Sequence, residues 1–578
     1  MTRMQRFRIL PLLGVLALAP GLQAAGAAPS AASSAAKTPA DTIYLGTTIT
    51  MEPGAPQAEA VAVRGAEIVA VGTRAAVLRL RGKRTQVVEL GTRTLLPGLV
   101  DSHGHFTVVA ALIDQANLAP PPAGPVGSIA ELQDALRRQM REQAIPDGGW
   151  VIGFGYDDSL LAEKRHPNRD DLDAISTTHR IYVTHVSGHL GAANSNVLAD
   201  ARIDASSVDP PGGVIRRRAG SHEPDGVLEE TAQYGVRALF PQPDRERSLQ
   251  LLGKAQDFYA SMGLTTIQDG GLAPDGVALL QEAARRKLLQ LDVVGYRIWM
   301  PVGAPFPAAD AFGDYRDRLK IAGIKMVLDG SPQGKTAYLS EPYVVPPAGQ
   351  KQGYRGYPSM PPSAVEKGVR EALTHDVPLL AHANGDAAAQ LLIDAVAKVR
   401  QETGNLEPKV VMIHAQTVRD DQLEQMATLN IVPSFFTGHT FFWGDWHRDE
   451  TLGVRRAERT SPARSAIERG IAFTLHNDPP VVPPDMMRTL WSAVTRRTRS
   501  NDILGPAQRL TVMEALAGLT INGARQYGEE DRKGSIAVGK LADLVILDRN
   551  PLEVEPDALA QIKVVETISQ GRSIYRLP

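Results

Sequence analysis

The stretch Leu95-Leu96-Pro97-Gly98-Leu99-Val100-Asp101-Ser102-His103-Gly104-His105 places two histidines directly after an apolar run. Side chains two residues apart on a strand point to the same face of its sheet. At the carboxyl end of a parallel barrel strand, that face lines the mouth of the barrel. His103 and His105 could therefore bind one metal ion there, although a His-x-His pair alone is just as typical of a polar loop.

Seven more apolar segments follow, and most are separated by segments of helical length. The eight candidate strands are Leu95–Ser102, Thr265–Asp269, Val293–Trp299, Gly323–Leu328, Val377–Ala381, Val410–Ile413, Asn430–Ser434 and Ile471–Leu475. Leu251–Met262, Pro362–His375 and Ala387–Thr403 are the clearest helical segments. This alternation predicts an α/β fold with a parallel (β/α)8 barrel. A doubly wound sheet is the alternative, but no glycine-rich nucleotide loop follows the first strand.

The two ends of the chain differ from this middle region, because both carry short β segments between turns. We expect residues 41–94 and 530–578 to build one small β domain, and residues 95–529 to build the barrel. The gap after the first strand is too long for a structureless loop. We therefore expect an insertion with its own elements at about residues 115–250, lying as a cap over the barrel mouth.

The N-terminus has the layout of a secretory signal. Arg3, Arg6 and Arg8 precede an apolar run from Ile9 to Ala19 and a tract of small residues. That run is shorter than the about 20 residues needed to span a bilayer, although an uncleaved anchor is the alternative. We expect a signal peptide at 1–25 and a disordered linker at 26–40. Without an adjacent arginine pair, Sec-type export to the periplasm or medium is favoured, with no membrane attachment after cleavage.

The composition is that of a globular chain and excludes several classes of function. The 578 residues are 43% hydrophobic and carry a net charge of −2, which provides no general attraction for nucleic acid. The sequence has no cysteine, so disulfides, thiolate catalysis and thiolate metal sites are all excluded. Any metal site must use histidine, carboxylate or a modified lysine.

Polar residues follow three later strands at the points where their apolar runs end. His382 follows one such run, His414 follows the next, and Asp478 closes a third. A single histidine at such a place is more often a satisfied core residue than a ligand. Three ligand-type residues at three strand ends make coincidence much less plausible, because the carboxyl ends of barrel strands meet at one mouth.

Lys325 interrupts the apolar run Ile321–Leu328. A lysine among apolar neighbours loses hydration, so it must be paired or neutral. An ion pair with Asp329, on the same face, is the structural interpretation. The functional interpretation is a neutral amine that has captured CO₂, which creates a carboxylate able to bridge two metal ions.

Taken together, these motifs resemble the amidohydrolase superfamily, specifically its family 3, YtcJ-like branch. The matching segments, beyond the 97–105 motif, are Gly188-His189, Asn194-Ser195, Gly226-Val227-Leu228-Glu229-Glu230, Gly263-Leu264-Thr265-Thr266, Ile324-Lys325, Asp329-Gly330-Ser331, His382-Ala383-Asn384-Gly385-Asp386, His414-Ala415-Gln416, Asn477-Asp478-Pro479-Pro480 and Gly534-Ser535-Ile536-Ala537-Val538-Gly539-Lys540-Leu541-Ala542-Asp543-Leu544. The resemblance covers essentially the whole mature chain. It implies a (β/α)8 barrel with a small β-sandwich.

The resemblance also implies a role for each ligand-type residue. His103 and His105 would bind one divalent metal, most often zinc, and His382 and His414 a second. A carboxylated Lys325 would bridge them, and Asp478 would bind the first metal and transfer the proton. Some members use one metal, and the role of the lysine varies most. The chain departs from the usual pattern at Asn384 and at His476-Asn477-Asp478.

Several further residues are candidates for contacts with substrate or with the ligands. His189, Asn194 and Glu230 of the cap are expected to contact substrate, or else to be structural. Trp443 belongs to the aromatic segment 435–446, which forms either a substrate wall or a packed loop. His476 is expected at the rim, as a substrate contact or a spare ligand. Asp101 and Asp386 are expected to orient the imidazoles.

The predicted function is hydrolysis of a C–N bond in a small molecule: an amide, an N-acyl amine or a cyclic amide. A metal-bound hydroxide would attack the carbonyl, with Asp478 as general base and then general acid. A deaminase or an esterase or lactonase on the same scaffold is the alternative enzyme. A non-catalytic periplasmic binding protein is the alternative from another class. The sequence leaves self-association into a homo-oligomer open.

Overall fold

A computed structural model of the protein describes residues 38–158, 160–188, 190–301, 306–347, 350–404, 407 and 409–578. The expected signal peptide, nearly all of the expected linker and His189 lie outside these residues. Among the helices of the described residues, none is both long and apolar enough to cross a membrane.

Eight parallel strands form the central sheet and pair with one another in chain order. They are Leu99–Val100, Leu264–Leu272, Asp292–Ile298, Leu319–Val327, Leu379–Ala383, Val410–His414, Ile431–Phe435 and Thr474–Leu475. Each overlaps one predicted strand, so the prediction of a TIM-like barrel is confirmed. Many apolar residues of these strands pack with the surrounding helices in one large core, whereas others, such as Val294 and Leu380, form a smaller separate cluster.

The helices lie mostly between these strands. The α-helices are Arg74–Leu78, Phe106–Leu112, Ile129–Glu142, Arg169–Asp173, Ser195–Asp200, Tyr234–Arg237, Arg245–Ser261, Pro274–Arg285, Pro362–Thr374, Asp386–Thr403, Asp420–Thr428, His439–Trp446, Val454–Ala457, Ala463–Glu468, Met486–Thr495, Val512–Leu519 and Ile521–Gln526. A π-helical turn at His447–Thr451 directly follows the helix His439–Trp446. Short 3₁₀ turns lie at Thr231–Gln233, Ala309–Ala311, Pro506–Gln508 and Pro556–Gln561. The three helical segments predicted from sequence agree with the observed helices to within six residues.

The first predicted strand is divided between two sheets, which corrects the prediction of one strand at 95–102. Thr94–Pro97 pairs antiparallel with Leu544–Leu547, and only Leu99–Val100 joins the barrel. The Gly98 N–H donates to the Asp543 carbonyl oxygen. A Cβ at Gly98 would lie 2.3 Å from Thr265 Oγ1, so only glycine fits where the chain crosses between the sheets.

Strands from both ends of the chain share one eight-stranded sheet. They are Thr42–Ile49, Gln57–Arg64, Glu67–Gly72, Gln86–Glu89, Thr94–Pro97, Leu544–Leu547, Val564–Ser569 and Arg572–Arg576. Buried apolar side chains from the two ends, such as Val61 and Ile546, pack in a common cluster. The N-terminal and C-terminal segments therefore stabilise each other.

The long insertion folds as a separate six-stranded sheet. Its strands are Ala116–Asn117, Trp150–Tyr156, Arg180–His185, Leu190–Ala193, Gly213–Arg217 and Pro224–Glu230. The insertion ends earlier than residue 250, because Leu249, Leu251 and Leu252 of the helix Arg245–Ser261 pack into the barrel core. The insertion also touches the loops of the barrel, since Arg499 donates to the Pro121 carbonyl oxygen at 2.8 Å.

Candidate metal centre

Six side chains from five barrel strands, or from the loops directly after them, converge at the carboxyl end of the barrel. They are His103, His105, Lys325, His382, His414 and Asp478. Asp478 Oδ1 lies 3.2 Å from His105 Nε2 and 3.5 Å from His103 Nε2, and Asp478 Oδ2 lies 3.8 Å from His414 Nε2. His414 Nε2 faces His382 Nδ1 at 3.1 Å. All the expected metal ligands therefore lie in one cluster.

Burial keeps three histidines of this cluster, His103, His382 and His414, neutral. Desolvation lowers the pKa of His382 to about 4, and lowers those of His103 and His414 well below the usual range. Burial by itself would raise the pKa of Asp478, but electrostatic interactions with His105, His476 and Lys325 lower it overall. The site thus combines imidazole lone pairs with an ionised carboxylate, and metal ligation requires both forms.

Lys325 is 2% exposed, and its Nζ lies 2.9 Å from His103 Nε2. Burial lowers the pKa of this amine to about 7. Asp329 does not pair with it: the Asp329 carboxylate accepts backbone N–H groups from Asn384, Gly385 and Tyr338. Asp329 therefore shapes the loop beside His382, and the ion-pair interpretation of Lys325 is wrong.

The two aspartates expected to orient imidazoles do not contact an imidazole nitrogen in the hydrogen bonds of the described residues. Asp386 accepts hydrogen bonds from Ser340 and Arg419, and Asp101 accepts the backbone N–H of His103. The Gly330 carbonyl oxygen and the Asn384 amide nitrogen each lie 3.1 Å from His382 Nε2 instead.

His476 is completely buried, which corrects its expected place at the rim. Its Nε2 lies 3.2 Å from His414 Nδ1, and its Nδ1 lies 2.8 Å from Ser434 Oγ. Burial lowers the pKa of His476 to about 3. His476 therefore lies behind His414, on the side away from the Nε2 that faces the cluster.

The donors of the cluster fit a divalent metal ion. His103, His414 and Asp478 offer ligand atoms that all lie within 4.8 Å of one another. Asp478 Oδ1 is buried, and among the described residues no donor reaches it in hydrogen-bonding geometry. Imidazole nitrogens with carboxylate oxygens are a ligand set that zinc accepts.

The residues expected to contact substrate lie in different surroundings. Asn194 is fully buried and caps the helix Ser195–Asp200, where its oxygen accepts the Val197 and Ile181 N–H groups and its nitrogen donates to the His179 carbonyl. Its amide is thus used within the insertion. Glu230 is exposed at the end of the strand Pro224–Glu230 with φ of 48°.

Trp443 belongs to an aromatic cluster next to the candidate metal ligands. Its ring lies 6.1 Å from Phe436 and 4.6 Å from His439, measured between centroids. Phe436 in turn lies 5.5 Å from His476 and 6.5 Å from His414. Ala123 of the insertion packs against the same cluster. The aromatic segment therefore connects the candidate metal ligands to the insertion.

Two features of the site were not found from the sequence. Gln268 accepts a hydrogen bond from His103 across 165 residues of chain, and its strand also carries Thr265, Thr266 and Asp269, so no local signal distinguishes it. A second group, Asp157, Asp158 and His185, lies in the insertion, with ligand atoms within 4.8 Å of one another. Its residues were not singled out because they lie on no predicted barrel strand.

Comparison with known proteins identifies the family. A sequence model of the amidohydrolase family matches residues 86–575. The N-substituted formamide deformylase of Arthrobacter pascens is 27% identical over 543 residues, which cover 89% of this chain and 94% of that protein. The putative amidohydrolase YtcJ of Bacillus subtilis (strain 168) is 25% identical over 507 residues, covering 85% of this chain and 90% of that protein.

The same fold is found in solved structures. An uncharacterized metal-dependent hydrolase from Pyrococcus furiosus superposes with a TM-score of 0.68 at 22% identity, covering 89% of this chain and all of that one. The family match spans most of the chain and includes every proposed ligand. The chain belongs to the amidohydrolase family, as the YtcJ-like resemblance of its motifs indicated, and is a hydrolase of that family.

Proposed function

We propose that this amidohydrolase cleaves a C–N bond in a small amide, N-acyl amine or cyclic amide, using a divalent metal for which zinc is the first candidate. The observation that carries the proposal is the convergence of four histidines, Lys325 and Asp478 at one end of the barrel. The relative from Arthrobacter pascens is an N-substituted formamide deformylase, so N-formyl amines are the first substrates to test.

His103, His105, His382, His414 and Asp478 would hold the metal. The bound metal would supply a Lewis acid that polarises the scissile carbonyl and makes water easier to deprotonate. The protein contributes neutral imidazoles, because their low pKa values keep protons from competing for the lone pairs.

Asp478 would transfer the proton. Its carboxylate is ionised at neutral pH because its pKa lies below the usual range. It accepts a proton as the water oxygen forms its bond to the carbonyl carbon. It then delivers that proton to the leaving nitrogen as the C–N bond breaks, which yields a carboxylic acid and an amine.

Lys325 is proposed to carry a carboxyl group derived from CO₂. Its amine is buried and its pKa is lowered to about 7, so a neutral, nucleophilic form is accessible. Addition of that nitrogen to CO₂ releases one proton and creates an anionic oxygen ligand beside His103. This anion would balance the charge of the metal in a buried site.

Substrate would approach from the side of His105 and His382. Their side chains are 29% and 19% exposed, whereas that of His103 is 1% exposed. Trp443 and the aromatic cluster lie beside His414 and would provide an apolar wall. His189 remains a proposed substrate contact from the insertion.

The test combines metal analysis with a hydrolysis screen of the purified full chain. The screen should contain N-formyl amines, N-acyl amines, cyclic amides, esters and lactones. We expect metal-dependent release of amine that a chelator abolishes and added Zn²⁺ restores. Turnover confined to esters and lactones, or bound metal without turnover of any amide, would contradict C–N hydrolysis.

We also propose Sec-dependent export, which the basic and apolar start of the chain supports. Cell fractionation and N-terminal sequencing of the mature protein test this proposal. Export that fails in a strain lacking the twin-arginine machinery, or a mature protein that keeps Met1, would contradict it.

A further inference from the structure

We infer that Gln268 is a positioning residue that determines which nitrogen of His103 is available to the metal. The inference rests on the metal centre of the proposed function, and it concerns a residue outside the set of ligands. Gln268 lies on the second barrel strand, Leu264–Leu272, and is fully buried.

All the polar atoms of the Gln268 amide are used. Its Nε2 donates to the Ser102 carbonyl oxygen at 2.8 Å and to Tyr527 Oη at 3.0 Å. Tyr527 Oη donates its own proton to the Asp101 carbonyl oxygen at 2.6 Å, so toward Gln268 it acts as an acceptor. On the other side, Gln268 Oε1 lies 2.7 Å from His103 Nδ1.

These contacts leave one chemically sound orientation for the amide. If the amide were flipped, its oxygen would face the Ser102 carbonyl oxygen and a tyrosine oxygen whose proton is already used. Both contacts would be repulsive and buried, and such unsatisfied pairs are costly. The Oε1 atom therefore faces His103.

The orientation of Gln268 sets the tautomer of His103. An amide oxygen only accepts, so His103 Nδ1 must carry the proton, and a neutral imidazole then has its lone pair on Nε2. That Nε2 atom faces Lys325 Nζ at 2.9 Å and Asp478 Oδ1 at 3.5 Å. The network thus directs the lone pair toward the centre of the cluster before any metal binds.

The backbone of the second barrel strand packs closely against the His103 ring. A Cβ at Gly270 would lie 2.4 Å from His103 Cε1 and 2.8 Å from Gln268 Oε1. The glycine lets the strand approach both side chains closely. Gln268 and the backbone at Gly270 together therefore hold the imidazole plane and its tautomer.

Gln268→Met tests the inference because methionine has a similar length and volume but cannot accept the Nδ1 proton. Gln268→Glu keeps an acceptor at His103 and, as a neutral carboxylic acid, can still donate to the Ser102 carbonyl oxygen, so it should rescue the tautomer. Gln526→Met is the matched control, since Gln526 also donates to the Ser102 carbonyl oxygen, at 2.8 Å, but makes no hydrogen bond to His103. Outer-shell partners of metal-binding histidines are typically worth about 10- to 100-fold in metal affinity.

The readouts are the Zn²⁺ dissociation constant, from competition with a chromophoric chelator, and the visible spectrum of the Co²⁺-loaded protein. Thermal unfolding of the metal-free variants checks the fold. We expect Gln268→Met to weaken Zn²⁺ binding about 10- to 100-fold and to alter the Co²⁺ spectrum. The Zn²⁺ dissociation constant of Gln268→Glu should stay within about tenfold of the wild-type value, and that of Gln526→Met should equal the wild-type value.

Equal Zn²⁺ affinity of Gln268→Met and wild type would overturn the inference, as would an equal loss in Gln526→Met. If Gln268→Met does not fold, Tyr527→Phe serves in its place, because it removes one of the two acceptors of Gln268 Nε2. We expect this variant to alter the Co²⁺ spectrum. An unchanged spectrum would contradict the inference. Wild type that binds Zn²⁺ without hydrolysing amides contradicts the proposed reaction but leaves this inference standing.

Discussion

Two groups of histidine and aspartate lie in this molecule, one at the mouth of the barrel and one in the insertion. At the mouth, His103 and His414 are 1% and 3% exposed and come from different strands. In the insertion, the side chains of His166 and His185 are 11% and 13% exposed and that of Asp158 is 33% exposed. Both groups contain three residues with ligand atoms close enough to bind one metal ion, so the number of such residues does not distinguish them.

The hydrogen-bond partners distinguish the two groups. In the insertion, Asp158 lies 3.2 Å from His185 Nε2, and hydrogen bonding from His185 lowers the pKa of that carboxyl. The Ser187 N–H donates to His185 Nδ1, so the proton of this imidazole lies on Nε2, toward Asp158. At the mouth, Gln268 directs the proton of His103 away from the cluster. In the insertion the imidazole proton therefore lies toward the carboxylate, whereas at the mouth the lone pair of His103 is left for a metal ion.

Asp478→Asn should have the largest effect. An amide cannot accept the proton of water, so kcat should fall by about 10²- to 10⁴-fold. Steady-state kinetics on the best amide substrate measures the loss. Asp158→Asn, the same change in the insertion, is the control and should leave kcat within a few-fold. Equal losses in both variants would erase the distinction between the two groups.

Lys325→Met should remove a ligand or a positioning group of the metal centre. We expect metal affinity at least about tenfold weaker, with a matching loss of activity at limiting metal. Lys320→Met is the control: Lys320 lies on the same strand, but its Nζ binds Glu529 and the Tyr527 carbonyl oxygen. Native mass spectrometry should show the mass of added CO₂ on the wild type and not on Lys325→Met. Its absence from active wild-type protein would disprove carboxylation.

Asn194→Ala should affect stability and leave catalysis unchanged. The substitution removes a helix cap and leaves buried backbone N–H groups without their acceptor, which costs about 1–3 kcal/mol. Denaturant unfolding measures the free energy, and kinetics of the folded variant supplies the comparison. A raised KM with unchanged stability would instead restore the substrate role expected from the sequence.

Asp158→Asn should have the smallest effect on stability, about 0.2–1 kcal/mol at neutral pH, because the pair is partly exposed. The pKa of Asp158 is lowered in the folded state, so its contribution is present above the unfolded carboxyl pKa of about 4. It is lost as the pH falls below that value, through the folded pKa. The difference between variant and wild type should therefore shrink from pH 6 to about pH 3 in urea unfolding. A constant difference would contradict the interaction of Asp158 with His185.

The barrel and its ligands were predictable because their signals are local. Each buried strand is a short apolar run, and a polar residue such as His382 or His414 directly after it must lie at the carboxyl end. Barrel topology then brings these ends together whatever the intervening helices do. Lys325 was found for the same reason, as a charged group within an apolar run.

The remaining features depend on contacts distant in sequence. The division of the first strand needs Asp543, over 400 residues away, as the partner of Gly98. His476 was expected to share the face of Asp478, but Asp478 has φ of 56°, so the alternation of the strand ends before it. Gln268 acquires its role only when the second strand lies beside the first.

Elemental analysis of three purified proteins tests the metal centre most directly. Wild type and the His185→Ala variant should retain divalent metal in stoichiometric amounts after gel filtration, and His414→Ala should lose most of it. Retention by His414→Ala with loss from His185→Ala would place the metal in the insertion. Wild type that stays free of metal after growth and purification with added Zn²⁺ would contradict the metal centre altogether.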